Sequence, residues 1–482
     1  MLKMKKNSAW LLLALLGMLA SCSDSAHSTP TDTQSSAPHS DAVTTAAEYR
    51  LPDGDFGGRD IQFYLAETLC LLPVEEEGGA VLDDAIYLRN RQVEERYNVN
   101  FKYNIASGVG EDWETWIQTC ESSILADDDS IDIVGGYGFR LTGVSVTSGL
   151  FQNLNELTAI DFSQPWWPQH LLEVAQIGEK MYFCQGHLEP SFYNQIYVMV
   201  FDKKLCENQN IESPYTLVNE GRWTYDKFRE IVMLGSQDLN GNGTIDKDDQ
   251  YGFAIGQNMA VDAFNDAFNI KFVKTGADGM PELLPLSEKL AAVYAELNTF
   301  LNSSAVQYNT RDRESYDTFK ESRAMLMSAT LHGLGELRSV DHDFGIIPYP
   351  KWDAQQADYY TYCALGNATA YCVPITAEGD TSATVLEALA YYGYQDILPE
   401  YYERVLKGQN TRDNESEEML DIIFGNVHFD FTQVYSFAFG DERAPSMLLR
   451  VSIRNEKDIS SMFESDKRGF EDVIEDLIIN LK

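Results

Sequence analysis

Short β-rich runs alternate with longer helical patterns from the start of the apolar body, and this alternation constrains the fold more than any other feature. Asp60-Ile61-Gln62-Phe63-Tyr64 reads as a strand. Val81 to Tyr97 follows, with Leu82, Ala85, Ile86, Val93 and Tyr97 at helical spacing. Next come a strand from Val99 to Ile105, a helix from Trp113 to Leu125, and a strand Ile131-Asp132-Ile133-Val134 that ends in Gly135-Gly136-Tyr137-Gly138. Two strand-helix-strand steps in a row predict parallel strands covered by helices.

The pattern recurs further on. Gln195 to Phe201 is nearly continuous in apolar side chains, as a strand buried on both faces requires. Trp223-Thr224-Tyr225-Asp226-Lys227-Phe228 opens a helix with Thr224 as N-cap. Tyr251 to Ile255, Arg323 to Met327, Phe344 to Pro348 and Ala370 to Pro374 read as further strands. Ala383 to Tyr394, Leu398 to Lys407, Ser416 to Ile423 and Phe470 to Leu481 read as late helices. No internal repeat appears, which argues against a solenoid or propeller. The 482 residues hold more strand-helix units than one ordinary sheet accommodates, so two α/β lobes are expected.

Charge removes one class of partner. With 36 basic and 75 acidic side chains the formal net charge is -39, so general attraction to a nucleic-acid backbone is excluded as the chain's business. The first 22 residues carry Lys3, Lys5 and Lys6, then an apolar run from Trp10 to Ala20, then Leu19-Ala20-Ser21-Cys22. Eleven apolar residues are fewer than the roughly 20 a spanning helix needs, so this is an export signal. Its close resembles a bacterial lipobox, which makes Cys22 the expected lipidated, palmitate-bearing N-terminus. Residues 23–50, dominated by Ser, Thr, Ala, Pro and Asp up to Glu48, read as a flexible tether. The body is then expected at the extracellular face of the cell membrane, held by lipid alone. Cys70, Cys120, Cys184, Cys206, Cys363 and Cys372 show no C-x-x-C spacing, so zinc is not suggested, and disulfides stay open.

The sharpest local signal is Asp238-Leu239-Asn240-Gly241-Asn242-Gly243-Thr244-Ile245-Asp246-Lys247-Asp248-Asp249. Oxygen side chains stand at the ligand positions of a twelve-residue calcium loop, with Gly at the sharp sixth position. Asp238, Asn240 and Asn242 are expected to ligate through side chains, Thr244 through its carbonyl, Asp246 through water, and Asp249 in place of the usual closing Glu. So many protein oxygens disfavour magnesium, and a lone loop suits a structural Ca2+ better than a sensor.

Catalytic signatures are missing: no P-loop, no H-E-x-x-H, no G-x-S-x-G and no G-x-G-x-x-G. Acids are so abundant that a glycosidase pair such as Glu189 with Asp262 can always be nominated, without meaning until a separation is known. His170, His187, His332, His342 and His428 show no ligand spacing. The 26 Tyr, 24 Phe and 7 Trp supply flat faces suited to sugars, with Trp166-Trp167 as a candidate stacking platform.

Taken in order, the lipobox, the tether, QIYVMVFDKKL, GRWTYDKF, DLNGNGTIDKDDQYGF, GIIPYPKWD and EALAYYGYQDILPEYYERVLKG resemble the family 1 extracellular solute-binding lipoproteins of Gram-positive ABC importers, especially their clostridial sugar-type branch. The resemblance runs from residue 55 to the C-terminus. It implies a type II, two-lobed periplasmic-binding-protein-like fold, each lobe a mixed, mostly parallel sheet flanked by helices, with a hinge between. Residues 51–195 and 360–400 would form the N-lobe, and 196–359 and 401–482 the C-lobe. A monomer that captures a carbohydrate between its lobes and delivers it to ABC permease subunits, without catalysis, is the implied function. By the same analogy Tyr137, Trp167, Gln195, Gln257, Asn258, Ser328, Thr330 and His332 line the ligand. Maltose-type members commonly place Trp at the 328–332 turn, where this chain has Ser-Ala-Thr-Leu-His, so a platform for long oligosaccharides is not implied. A glycan-processing surface enzyme, a binding protein feeding a sensor, and import of a non-sugar solute such as a peptide remain open alternatives.

Overall fold

A computed structural model of the chain describes residues 49–67, 71–309, 311–407 and 413–481. The chain divides after Arg50, and Leu51–Lys482 forms a unit of its own. The export signal, Cys22, nearly all of the tether and Cys70 lie outside the described residues. Strands are numbered in chain order: β1 (Arg59–Ala66), β2 (Val99–Ala106), β3 (Ile133–Tyr137), β4 (Tyr197–Asp202), β5 (Tyr251–Gly256), β6 (Val273–Thr275), β7 (Pro281–Leu283), β8 (Val306–Asn309), β9 (Ala324–Thr330), β10 (Phe344–Ile347), β11 (Thr361–Tyr362), β12 (Thr369–Cys372) and β13 (Val427–His428).

The first sheet has the order β12-β3-β1-β2. β1 runs parallel to β2, from Arg59 opposite Val99 to Ala66 opposite Ala106, and parallel to β3, whereas β12 returns antiparallel with Thr369 opposite Tyr137. The crossovers are the helices Val81–Tyr97 and Trp113–Ala126, which bury Ile86, Val93 and Tyr97, and Trp113, Trp116 and Ile124. Each stops at a left-handed residue, Asn98 or Asp127, of the short polar type that tolerates this conformation. The second sheet has the order β10-β4-β9-β5-β8, with β5, β8 and β9 parallel and β4 antiparallel to both neighbours. All six residues of β4 are buried, as its apolar run requires. Thr224 caps the helix Tyr225–Gly235, its side chain accepting from the Lys227 amide.

These pairings put particular strand ends at the junction of the lobes. In the first sheet Tyr137 ends β3 beside Thr369, which starts β12. In the second, β5, β8 and β9 end beside the start of β4, where Tyr197 faces Thr330. The chain passes between the lobes at 194–197 and 361–369, and the two segments pair through Ile196 opposite Cys363 and the Ala364 amide on the Gln195 carbonyl (3.0 Å). Both carboxyl edges therefore meet at a hinge, which the small sheet β11-β13 reinforces. The architecture is α/β and two-lobed.

The end of the chain differs from its sequence reading in two places. Residues Gly393–Ile397 and Glu400–Lys407 form wide helical turns, and the second stretch packs on the first-lobe helix Val81–Tyr97. The last helix runs Ile459–Ile479, eleven residues earlier in its start than the apolar pattern suggests. Asp458 caps it by accepting from the Ser461 amide, and its first half buries only Ile459 and Phe463, too sparse a stripe to read. That helix packs on Glu288–Leu301, Leu448–Arg454 and β7, and also on the first-lobe helix Gly138–Thr147. Cys120, Cys184, Cys206, Cys363 and Cys372 are buried free thiols. Among the described residues no helix is long and apolar enough to cross a membrane.

Candidate functional site

At the first carboxyl edge the glycines of Gly135-Gly136-Tyr137-Gly138 admit close neighbours and turn β3 straight into the helix Gly138–Thr147. Tyr137 and Phe139 are half-buried there, with ring centroids 5.6 Å apart. The Tyr137 hydroxyl donates to Asn367 Oδ1 (3.2 Å), and Asn367 Nδ2 reaches Met259 Sδ (3.6 Å), so this edge, the hinge and the second lobe are tied by one amide.

The second edge is polar. Asn258 caps the helix Met259–Ala267, its Oδ1 accepting from the Ala260 amide, while Nδ2 donates to Asp312 Oδ2 (2.5 Å). Gln257 is half-buried and donates to the Tyr308 carbonyl (3.3 Å). Thr330 ends β9 with its hydroxyl accepting from the Gly333 amide (3.1 Å). His332 is exposed, its amide on the Asn194 carbonyl of the hinge (3.3 Å). Gln195 sits half-buried in the crossing segment itself. The structure thus brings Gln195, Gln257, Asn258, Thr330 and His332 to one edge and Tyr137 to the other.

Two expectations change. Trp167 is fully buried and stacks on nothing outside the protein: Trp166 Nε1 donates to Glu387 Oε1 (3.0 Å) and Trp167 Nε1 to Oε2 (2.9 Å), and Phe162 packs on Trp167. A buried carboxylate that needs donors has pulled both indoles into the first-lobe core. Ser328 is also buried, its hydroxyl bonded to that of Tyr349 (2.5 Å), so it supports the edge from below. Sequence reasoning missed Phe139, two residues past Tyr137 in the same turn, and Asp312, which follows the end of β8 as the helix-opening acid of Arg311-Asp312-Arg313.

The other nominated groups have partners of their own. Glu189 accepts from Tyr371 Oη (2.6 Å) and the Leu71 amide (2.5 Å), and burial raises its pKa. Asp262 faces Arg450 (3.5 Å), with burial pushing it up to about 6. His187 meets the Tyr193 hydroxyl and is pushed down to about 3 by burial. His428 lies on Lys271 Nζ (2.7 Å) and 5.8 Å in ring centroid from His170, and burial first, then Lys271, lowers it to about 4. His342 faces Asp202 (3.6 Å).

The loop 238–249 is closed at its base by pairing of Gln237 with Gln250, and Arg323 donates to the Lys247 carbonyl (2.6 Å). Asp238 accepts from the Gly241 and Gly243 amides, Asn240 from Asn242, Asn242 from Thr244, and Asp246 from Asp248. Asp249 is buried and accepts from the amides of Leu239, Asn240 and Asp246. The oxygen side chains of the loop are therefore turned inward, held by the loop's own amides. Among the described residues, no three His, Cys, Asp or Glu side chains group as a metal site.

Two helix-covered sheets whose carboxyl edges meet at a hinge define the two-lobed, periplasmic-binding-protein-like fold. No family model and no curated protein sequence matches the chain. Solved structures do. Apo RafE from Streptococcus pneumoniae aligns with a TM-score of 0.54 at 14% identity, over 87% of this chain and 99% of that one. The cyclic α-maltosyl-1,6-maltose binding protein of Arthrobacter globiformis gives 0.57 at 10%, over 87% and 99%. An ABC transporter solute binding protein of Thermotoga lettingae, bound with α-D-tagatose, gives 0.53 at 12%, over 87% and 100%. At such identities the likeness establishes the fold.

Proposed function

We propose that the protein is a substrate-binding protein that captures a carbohydrate between its lobes and delivers it to the permease of an ABC importer, without catalysis. The observation that carries this reading is the pairing of edges at the hinge: half-buried rings of Tyr137 and Phe139 on one, and Gln257, Asn258, Asp312 and Thr330 on the other. Rings suit the apolar faces of a sugar and the polar groups suit its hydroxyls. Structural neighbours support it: one is an ABC transporter solute binding protein bound with α-D-tagatose, another is RafE in complex with raffinose, and a third binds cyclic α-maltosyl-1,6-maltose. In this reading the chain is a monomer of the clostridial sugar-type branch, anchored at the extracellular face of the membrane by lipid on Cys22.

The loop 238–249 would hold Ca2+ through Asp238, Asn240, Asn242, Thr244, Asp246 and Asp249, and the ion would supply rigidity rather than chemistry. Leu51–Lys482, a unit of its own, suits a thermal-unfolding assay against mono- and oligosaccharides with calcium saturating. Binding to the folded state alone raises the midpoint by about 2.7 kcal/mol equivalent at 100 times Kd. A dose-dependent rise with intact sugar recovered is the expected result; silence sinks the carbohydrate, and a cleaved sugar sinks the binder. Chelation without sugar is expected to lower the midpoint by several degrees, on the order of 2–4 °C per kcal/mol. An unmoved midpoint refutes the calcium loop.

A further inference from the structure

Asp312 opens the helix Asp312–Lys320 at the polar edge, in a place where an acid usually serves the helix. It does not cap it: the N-cap position is Arg311 and no side chain there accepts a backbone hydrogen bond. One carboxylate oxygen, Oδ2, takes the Asn258 amide. The other, Oδ1, lies over Gly256 at the end of β5, so close that a Cβ on that residue would stand 1.9 Å away. Among the described residues Asp312 forms no ion pair, and its neighbour Arg313 faces Asp317 instead (3.9 Å). Around it stand buried phenols: Tyr316, whose oxygen accepts from the Thr330 amide, and Tyr349, whose hydroxyl is held by Ser328 and the Ala260 carbonyl. Burial raises the pKa of Asp312, with only Asn258 acting to lower it.

A carboxylate accepts through four lone-pair positions and donates through none, and among the described residues it meets one side-chain donor and no cation. A half-buried acid in that condition is a poor structural element and a good receptor for donors brought by a ligand. We propose that Asp312 is the specificity-determining acceptor of the site, taking hydrogen bonds from hydroxyls of an uncharged sugar and turning away sugars that carry a carboxylate. The selection is by repulsion as much as by contact, because an acidic sugar would place a second negative charge beside a carboxylate already partly shielded from water. This rests on the carbohydrate reading above.

Calorimetric titration of Leu51–Lys482 tests it with glucose, galactose, mannose, maltose and raffinose beside glucuronate and galacturonate. Wild-type protein is expected to bind one or more neutral sugars and the matching uronate at least about 10-fold more weakly. Asp312→Asn is expected to weaken the neutral sugar roughly 10- to 100-fold and to shrink the gap to the uronate. Asp312→Glu, which moves the charge without removing it, is expected to lose neutral-sugar affinity and keep the gap; it also stands in should the Asn variant fail to fold. Unchanged neutral-sugar affinity in a folded Asn variant, or a uronate bound by wild type as tightly as its neutral partner, overturns the role of Asp312. A wild-type protein silent to every sugar overturns the carbohydrate reading itself, a separate and recognisable result.

Discussion

Glu387 in the first lobe and Asp312 in the second are both carboxylates withdrawn from water, yet they do opposite things. Glu387 is fully buried, on the helix Gly379–Tyr392, and accepts from two indoles and from the Asp161 amide (3.3 Å). Its capacity is taken up by protein donors, and it organises a core. Asp312 keeps capacity unspent at an edge that faces the hinge. Burial alone does not mark a binding residue; burial with acceptor sites left open does.

Removing each acid should separate the two roles. Glu387→Ala takes the carboxylate from two buried indole donors at about 1–3 kcal/mol each, so a loss of at least about 2 kcal/mol is expected in urea unfolding. An equally stable variant would erase the contrast. Close packing gives a second contrast. A Cβ at Gly393 would stand 1.8 Å from the His187 carbonyl oxygen, a backbone atom that yields only if the chain moves, so Gly393→Ala is expected to cost about 1–3 kcal/mol. At Gly256 the obstacle is the movable Asp312 carboxylate, so Gly256→Ala is expected to spare stability and weaken sugar binding, read by calorimetry beside the unfolding curve.

On the aromatic edge, Phe139→Ala is expected to lower sugar affinity by about 0.5–1.5 kcal/mol, the worth of one ring contact, with the polar edge untouched. Affinity that ignores this ring would confine recognition to the second lobe. A separate test concerns pH. His187 has a folded pKa of about 3 against an ordinary 6.5, so the unfolded chain takes up a proton that the folded one refuses. Its contribution to stability is full above pH 6.5 and falls on acidification towards 3, by at most about 1.4 kcal/mol per pH unit. Asp262, raised to about 6 from 3.8, acts in the opposite sense, so the measurement is the difference between wild type and His187→Phe across pH 7 to 4. The variant should gain stability relative to wild type as the pH falls from 7 to 4; parallel curves would mean the imidazole does not titrate alone.

Much of the frame was legible because its signals are local. The spacing of Val81 to Tyr97, the apolar run of β4 and the Thr224 cap depend on residues a few places apart, and each stands where the pattern put it. The site was legible in part. Tyr137, Gln257 and Asn258 come from the family resemblance rather than from any local signal, and they stand at or just past strand ends. Trp167 misled because an indole pair between prolines looks the same whether it meets a sugar or a carboxylate that lies 220 residues further along the chain. Asp312, flanked by two arginines, reads as a solvated charge; only the return of β5 beside β8 puts Asn258 and Gly256 against it.

The final helix bears on how such a chain comes into being. Ile459–Ile479 packs against Gly138–Thr147 in one lobe and against Glu288–Leu301 and β7 in the other, and the short helix Phe431–Val434 also rests on the first lobe. Neither lobe can complete its surface until Ile459–Ile479 has been made. A lobe folded without Ile459–Ile479 would leave the surface that this helix covers bare, so the two lobes share one late-made element.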